Sequence, residues 1–482
     1  MITGTDEHGI KIERAAIKNH QTPAELCDSV SIRFRELAKA GNIGYGDFIR
    51  TTESRHHLAV QTFWNRLMEN GHIYKGSYSG WYSVSDETYY APNQVQSRNP
   101  GEMVSFETGQ VVEWIEEENY MFKLSDFQSR LIEWLTQNPT ALVSSQKADI
   151  INQLQSKELP DLSISRPTDR LKWGIRVPND PNQIIYVWID ALTNYLTVTG
   201  YPWASDQIKN EKWPPNVHVI GKDITRFHAI YWPAMLMGAG LELPKSIIAH
   251  AHWTMKDEKI SKSRGNVVDP VESLKEWGVD GLRYYLMAAP GSLWNDTDWA
   301  PDRVDEHYRK DLAGQLGNLL SRISNPKLWS RFPVGLKSGT GLFYPPQSFK
   351  LERSQALADL ISKLPDEVDR SMSSFEIPKA LKSIFQVLTE SNRLISEIAP
   401  WHSSTGSEES HESIYLCAES IRFSAILLQP FMPEKSNEIL NQLGISVKNR
   451  GWTDLKLGSA IGVEVLASNG FQAFPNLIKV EK

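Results

Sequence analysis

Two lysines and an arginine fall within the six residues Lys259-Ile260-Ser261-Lys262-Ser263-Arg264, interleaved with serines and closed by Gly265-Asn266. Lysines bring mobile positive charge, serines bring hydrogen bonds, and glycine lets backbone N–H groups approach closely, so this loop suits a crowded anion such as a polyphosphate. A basic hexamer taken alone is more often a solvated turn. A second anion-friendly feature stands upstream, where Val217-His218-Val219-Ile220 reads as a strand ending in Gly221-Lys222-Asp223 and running into a helix. Gly221 permits close backbone approach, Asp223 can accept from a ribose hydroxyl, and the helix N-terminus favours negative charge. On that helix Ile224, Phe227, His228 and Tyr231 share a face, where a lone histidine is usually a satisfied core residue. Further along, Asn318 and Arg322, four apart, project from a helix whose other face carries Leu312, Leu316, Leu319, Leu320 and Ile323.

These side chains need rigid elements beneath them. Ile10 to Lys39 and Glu53 to Asn70 carry apolar residues at helical spacing, with a glycine-broken loop or short strand over Gly41 to Arg50. From Ile73 the alternation of aromatic and polar residues through Glu87 predicts β-hairpins. Ile184-Ile185-Tyr186-Val187-Trp188-Ile189-Asp190 is continuously apolar up to its last residue, as a strand covered on both faces of a parallel sheet should be. Ligands bind outside the carboxyl ends of such strands, which is where Trp188, Ala191, Leu192 and Tyr195 fall. Beyond Ala288 the pattern is helical, interrupted by linker-like Gly335 to Gln347 and Ser403 to Ser410.

A chain of 482 residues can hold two to four domains. Its net charge of −7 excludes a generally basic nucleic-acid coat but leaves room for local positive patches. Two cysteines, Cys27 and Cys417, cannot build a disulfide framework or a four-cysteine zinc site, which points to a reducing compartment. The longest apolar run, Ala229 to Leu241, is too short to cross a bilayer, so no membrane partner is expected.

The passage from His250-Ala251-His252-Trp253-Thr254-Met255 through the lysine loop to Val267-Val268-Asp269-Pro270 resembles the signature loop of class I aminoacyl-tRNA synthetases, in the form carried by methionyl-tRNA synthetases. Ile260 stands where methionine is usual, an apolar exchange on a packing residue. The resemblance implies an α/β protein: a Rossmann-like nucleotide fold, an inserted connective domain and a C-terminal α-helical anticodon-binding domain. The implied divisions are a first half of the nucleotide fold over 1–73, the connective insertion over 74–162, the second half over 163–250, the signature loop and a stem-contact segment over 251–303, and the helical domain over 304–482. Met1 to Gly9 is similar to the family's second nucleotide-fold strand and the loop after it. The family's first strand and its His-Gly-His type ATP motif have no counterpart here, for which truncation is the expected reason, and no cleavable leader is evident.

By the same resemblance, the carboxylate of methionine attacks the α-phosphate of Mg2+-bound ATP, and the methionyl-adenylate passes methionine to the tRNA 3′ end. Lys262, helped by Lys259, stabilises the leaving pyrophosphate, and Gly221, Asp223, Lys259, Ser261, Lys262 and Ser263 hold ATP. Asp6 faces the ammonium group of methionine, while Trp188, Ala191, Leu192, Tyr195, Ile224 and His228 form its pocket. Arg166, at the edge of the site, assists activation. Asn318 and Arg322 read the anticodon of initiator and elongator methionine tRNAs, and Trp452 stacks on its first base. Serines and Asp86 replace the cysteines of the family's zinc knuckle, so no structural zinc is expected. His250 to Thr254 and Gly291 to Trp299 look most like mitochondrial forms from fungi, implying the mitochondrial matrix, with the cytoplasm as the alternative; a monomer is expected. Two rivals remain. One is a tRNA-binding protein made inactive by the absent ATP motif. The other is a relative specific for another aliphatic amino acid, disfavoured because an editing insertion would need far more residues than Tyr74 to Leu162 supply.

Overall fold

A break in an expected helix sets up the first part of the fold. Residues from Ile10 were expected to run as one helix to Lys39, but the computed structural model holds two, α1 (Ile10–Lys18) and α2 (Pro23–Ala40). The cause is local: Thr22 caps α2 in a reciprocal capping box with Glu25, Pro23 takes the first helical position, and His20 lies at φ 55. Such a cap stabilises a helix start by about 1 kcal/mol, more than continuation through a proline could offer. The structure describes all residues except 85–87, 91, 100, 107, 204–210, 256–257, 261–266, 290–292, 330–341, 344–347, 403–406, 459–462, 465–471, 476 and 478–482. They form two compact units, Met1–Ala251 and His252–Lys482.

In the first unit, β1 (Ile2–Thr5) pairs in parallel with β2 (Asp47–Arg50), α1 and α2 making the crossover, and α3 (Ser54–Glu69) follows. Antiparallel β3 (Ile73–Ser83) and β7 (Val111–Phe122) form a long ribbon from Ile73↔Phe122 to Tyr82↔Glu113, with β4 (Thr88–Tyr90), β5 (Val95–Asn99), β6 (Glu102–Ser105) and β9 (Leu162–Ser163) beside it. Its alternating aromatics meet across the strands, Trp81 against Trp114 with ring centroids 5.4 Å apart. After α4 (Gln128–Gln137), a second parallel sheet is built by β8 (Leu142–Val143), β14 (Ile247–His250) and β13 (His218–Gly221), and α5 (Lys147–Ser156) lies in the crossover.

The apolar run at Ile184 to Asp190 is not a strand of that parallel sheet. Only its first two residues are extended, at the end of β12 (Asp180–Ile185), which pairs antiparallel with β10 (Ser165–Pro167) and β11 (Arg176–Val177). From Val187 the chain turns into helix α6 (Val187–Thr197), and Val187, Ile189, Leu192 and Leu196 are buried. A short continuous apolar run reads the same whether it enters a core as strand or as helix, and here it is both. The core beneath packs Phe63, Trp64 and Leu67 of α3 against Phe122, Phe127, Leu192 and Trp232.

In the second unit, β15 (Trp253–Met255) pairs with β16 (Glu258–Lys259) and with β17 (Thr297–Asp298). Trp253, Trp277, Tyr285 and Trp299 cluster beside them. Helices α8 (Pro270–Trp277), α9 (Val279–Ala288) and α10 (Pro301–His307) lead into a wide helical turn over Tyr308–Gly317 and then α11 (Asn318–Ile323). The bundle closes with α12 (Pro326–Trp329), α13 (Glu352–Ser373), α14 (Ile377–Ile398), α15 (Glu408–Leu428) and α16 (Pro433–Gln442). The expected stripe of Leu312, Leu316, Leu319, Leu320 and Ile323 is fully buried in its core. No helix among the described residues is long and apolar enough to cross a membrane.

Candidate functional site

Helix α6 supplies one wall. Trp188, Ala191, Leu192 and Tyr195 recur at three and four and so share a face. Leu192 is buried, the others half-buried. The Trp188 ring stacks on Phe227 with centroids 3.6 Å apart.

The facing wall follows β13. After Gly221 the chain makes a tight turn at Lys222–Ile224 and a widened helical turn at Phe227–Tyr231 before α7 (Trp232–Gly238). Pro233 explains the widening: it has no N–H to offer the Ala229 carbonyl four residues back, and its ring crowds that oxygen. This geometry carries His228 inward until it is 3 % exposed. Its Nδ1 lies 3.0 Å from the Ile224 carbonyl and its Nε2 2.8 Å from the Tyr195 hydroxyl. A carbonyl only accepts, so Nδ1 carries the proton and the tyrosine donates to Nε2. Burial pushes His228 down to about 4, the Ile224 carbonyl opposing, which keeps the ring neutral near pH 7. His218, whose ring lies 3.9 Å from that of Tyr195, is held still lower, to about 3, by burial and by His228. Tyr195, His218 and His228 therefore form an aromatic, uncharged cluster, and Ile224, half-buried, packs against the hydrophobic core.

Asp6 is exposed at the end of β1, and its neighbours are strongly tied down. The buried Glu7 carboxylate accepts from Thr5 Oγ1 (2.6 Å), Thr52 Oγ1 (2.6 Å) and Arg50 Nε (2.8 Å). The Glu7 carbonyl accepts from Trp173 Nε1 at 2.6 Å. Gly9 takes φ 101, a left-handed conformation that glycine adopts without strain, as the chain turns into α1. His8 reaches Asp190 of α6, and Asp190 reaches His56 of α3, at 2.6 and 2.7 Å. None of Glu7, His8, His56 and Asp190 was singled out from the sequence, where only the acidic and histidine-rich composition of Asp6 to His8 hinted at them.

Arg166 lies on β10 and is not a surface residue, being 5 % exposed. Its guanidinium stands between the rings of Tyr82, Tyr89 and Tyr186, 4.7 to 5.2 Å from their centroids. Nη1 donates to Ser163 Oγ at 3.1 Å and to the Ser165 carbonyl at 2.6 Å. It borders a cleft of about 170 Å3 together with Gly9, Arg14, Glu117 and Arg170.

Of the expected ATP contacts, Gly221 ends β13, paired in register with His250, and Asp223 is exposed two residues later. Lys259 pairs through its backbone with Thr254. Ser261, Lys262 and Ser263 lie outside the described residues, as does Asp86 of the expected knuckle. Among the described residues no group of three or more histidine, cysteine, aspartate or glutamate side chains is arranged to hold a metal.

In the helical unit Asn318 and Arg322 both lean on α14. Asn318 Nδ2 lies 3.4 Å from Asn392 Oδ1, and Arg322 Nη1 donates to Ser396 Oγ at 2.8 Å. The Arg322 guanidinium is 5.7 Å from the Trp401 ring, an aromatic that sequence reasoning passed over. Trp452 is 52 % exposed on a short turn, Trp452–Asp454. That turn is anchored from α15: Arg422, fully buried and paired with Glu419 at 2.7 Å, donates to the carbonyls of Asp454 (2.7 Å) and Lys456 (3.1 Å).

Residues 1–324 match the family model of tRNA synthetases class I (M), and residues 345–477 match the anticodon binding domain of methionyl tRNA ligase. The chain is 43% identical over 468 residues to a probable mitochondrial methionine–tRNA ligase of Dictyostelium discoideum, covering 93% of this chain and 80% of the relative. It is 41% identical over 470 residues to the human mitochondrial methionine–tRNA ligase, covering 94% and 78%. The crystal structure of Mycobacterium tuberculosis methionyl-tRNA synthetase bound by methionyl-adenylate superposes with a TM-score of 0.89 at 35% identity, over 98% of this chain and 92% of the other.

Proposed function

The chain belongs to the class I methionyl-tRNA synthetases, and from that premise we propose a division of labour among its residues. The reaction is that of a methionine–tRNA ligase: methionine is activated with ATP to methionyl-adenylate and then transferred to tRNA. The observation that carries the assignment of the pocket is the neutral His228–Tyr195 pair, with Tyr195 on the same helix face as the stacked Trp188. An uncharged aromatic lining favours a thioether, since sulfur against an aromatic ring gains about 0.3–1.5 kcal/mol that a branched alkane lacks. Ala191, Leu192 and Ile224 complete the apolar lining.

Asp6, at the carboxyl end of β1, receives the methionine ammonium group. Arg166 assists activation from the edge of the site, its charge kept undiluted by burial among tyrosines. Gly221 and Asp223 take the nucleotide, Ser261 and Ser263 its phosphates. Lys262 with Lys259 stabilises charge developing on the leaving pyrophosphate, so catalysis is mainly positioning and electrostatic stabilisation. Mg2+ accompanies ATP as part of the substrate. Asn318, Arg322 and Trp452 recognise the anticodon of initiator and elongator methionine tRNAs. Relatives named as mitochondrial support a mitochondrial site of action, which we place in the matrix, and a monomer suffices for the chemistry. The relatives are ligases, and no observation favours a tRNA-binding protein without activity.

Pyrophosphate exchange into ATP, measured with methionine, leucine, isoleucine and valine in turn, tests the assignment. Exchange supported by methionine alone is expected. Exchange supported equally by leucine would overturn the pocket assignment.

A further inference from the structure

Helix α6 has a second functional face. While Trp188, Ala191, Leu192 and Tyr195 line the pocket, Asp190, Thr193 and Thr197, again three and four apart, form a buried polar stripe on another side. Asp190 is fully buried, and each of its carboxylate oxygens is taken by a different segment: Oδ2 by Nδ1 of His8 at 2.6 Å, Oδ1 by Nε2 of His56 at 2.7 Å. His56, also fully buried, reaches back to α6 through Nδ1, 2.8 Å from Thr197 Oγ1. His8 lies two residues after Asp6, and Asp190 stands between Trp188 and Ala191.

We propose that Asp190, without touching substrate, is the positioning residue that holds the ammonium-binding loop at Asp6 in register with the pocket face of α6, using His8 as one arm and His56 as the other. The proposal rests on the assignment of Asp6 and α6 to methionine. A buried carboxylate is an expensive fastener, because packed apolar side chains join elements at least as firmly. Hydrogen bonds to both oxygens add what packing lacks, a fixed direction for each partner. The surroundings support this. Burial would depress His8, but the charge and hydrogen bond of Asp190, with Asp6 and Glu7 behind, raise it above its ordinary value, and His8 in turn helps to hold Asp190 low against its own burial. The same loop is also held through Glu7, by Arg50, Thr52 and Trp173.

Asp190→Asn keeps the shape of the side chain and removes its charge and one acceptor. In full-length protein it is expected to weaken methionine binding by calorimetry about tenfold, to raise KM for methionine in pyrophosphate exchange by a similar factor, and to leave KM for ATP within about twofold. His8→Ala should do the same, and His8→Asn, whose amide N–H can replace Nδ1–H, should restore most of the loss; this pair carries the test if Asp190→Asn fails to fold. Equal rises in both KM values, or a lowered melting temperature with methionine affinity unchanged, would overturn the positioning role. Wild-type protein that binds no methionine would overturn the functional reading and this proposal with it, whereas equal binding by wild type, Asp190→Asn and His8→Ala would overturn the proposal alone.

Discussion

The Tyr195 hydroxyl donates to Nε2 of His228 across 2.8 Å, and the Ile224 carbonyl fixes the proton on the other nitrogen of the same ring. Removing the donor leaves a buried acceptor with no partner, which costs about 1–3 kcal/mol. Tyr195→Phe should therefore lower stability by that amount and weaken methionine binding, with the ATP affinity little changed. Chemical denaturation and calorimetry check both; a variant as stable as wild type would mean water replaces the tyrosine.

Acid should destabilise the same region. His218 is held to about 3 in the folded protein, so it stays neutral while the unfolded chain, with its ordinary value near 6.5, takes up a proton. The unfolded state binds more protons below pH 6.5, so this contribution to stability is full above that pH and is lost as pH falls toward 3. Between pH 7 and 5 the loss from this group is about 2 kcal/mol. His218→Phe, which keeps a ring against Tyr195, should flatten the fall in stability over that range by about the same amount. An unchanged slope would remove His218 as its source.

Arg322→Ala and Trp452→Ala should each weaken binding of methionine tRNA by about 1–3 kcal/mol, from lost base contact and lost stacking respectively. Only the arginine change can also flatten the salt dependence, and by no more than about one phosphate. If these are ordinary surface residues, both effects stay within about 0.5 kcal/mol in filter binding.

The Trp452 turn depends on Arg422 inside the bundle. Arg422→Met strands the fully buried Glu419 charge and should cost about 3–5 kcal/mol. The double variant Arg422→Met, Glu419→Leu should regain most of that stability while still lacking the two hydrogen bonds to Asp454 and Lys456. It should then fold well yet bind tRNA as weakly as Trp452→Ala. Full tRNA affinity in the double variant would show that the turn holds itself.

How much of this was legible in the sequence depended on range. Helical spacing put the leucine stripe of 312–323 in a core because that pattern is local, whereas Trp188, Ala191, Leu192 and Tyr195 were grouped by a strand end and by resemblance, and their common helix face came only with the fold. Ile184 to Asp190 misled because a buried strand and a buried helix present the same apolar letters, and only the turn at Tyr186 separates them. The capping box at Thr22 was readable, yet it was overlooked beneath an apolar period that continues across it. The Asp190 relay was out of reach for a physical reason: its partners lie 182 and 134 residues away, and only the folded chain brings them together. Trp401 beside Arg322 was hidden in the same way.

Charging of tRNA joins every part of the account in one measurement. The protein, given ATP, Mg2+ and labelled methionine, is predicted to attach methionine to both initiator and elongator methionine tRNAs and to leave a methionine tRNA with an altered anticodon uncharged. Equal charging of the altered tRNA would contradict the role given to Asn318, Arg322 and Trp452, and no charging of any tRNA would contradict the central claim.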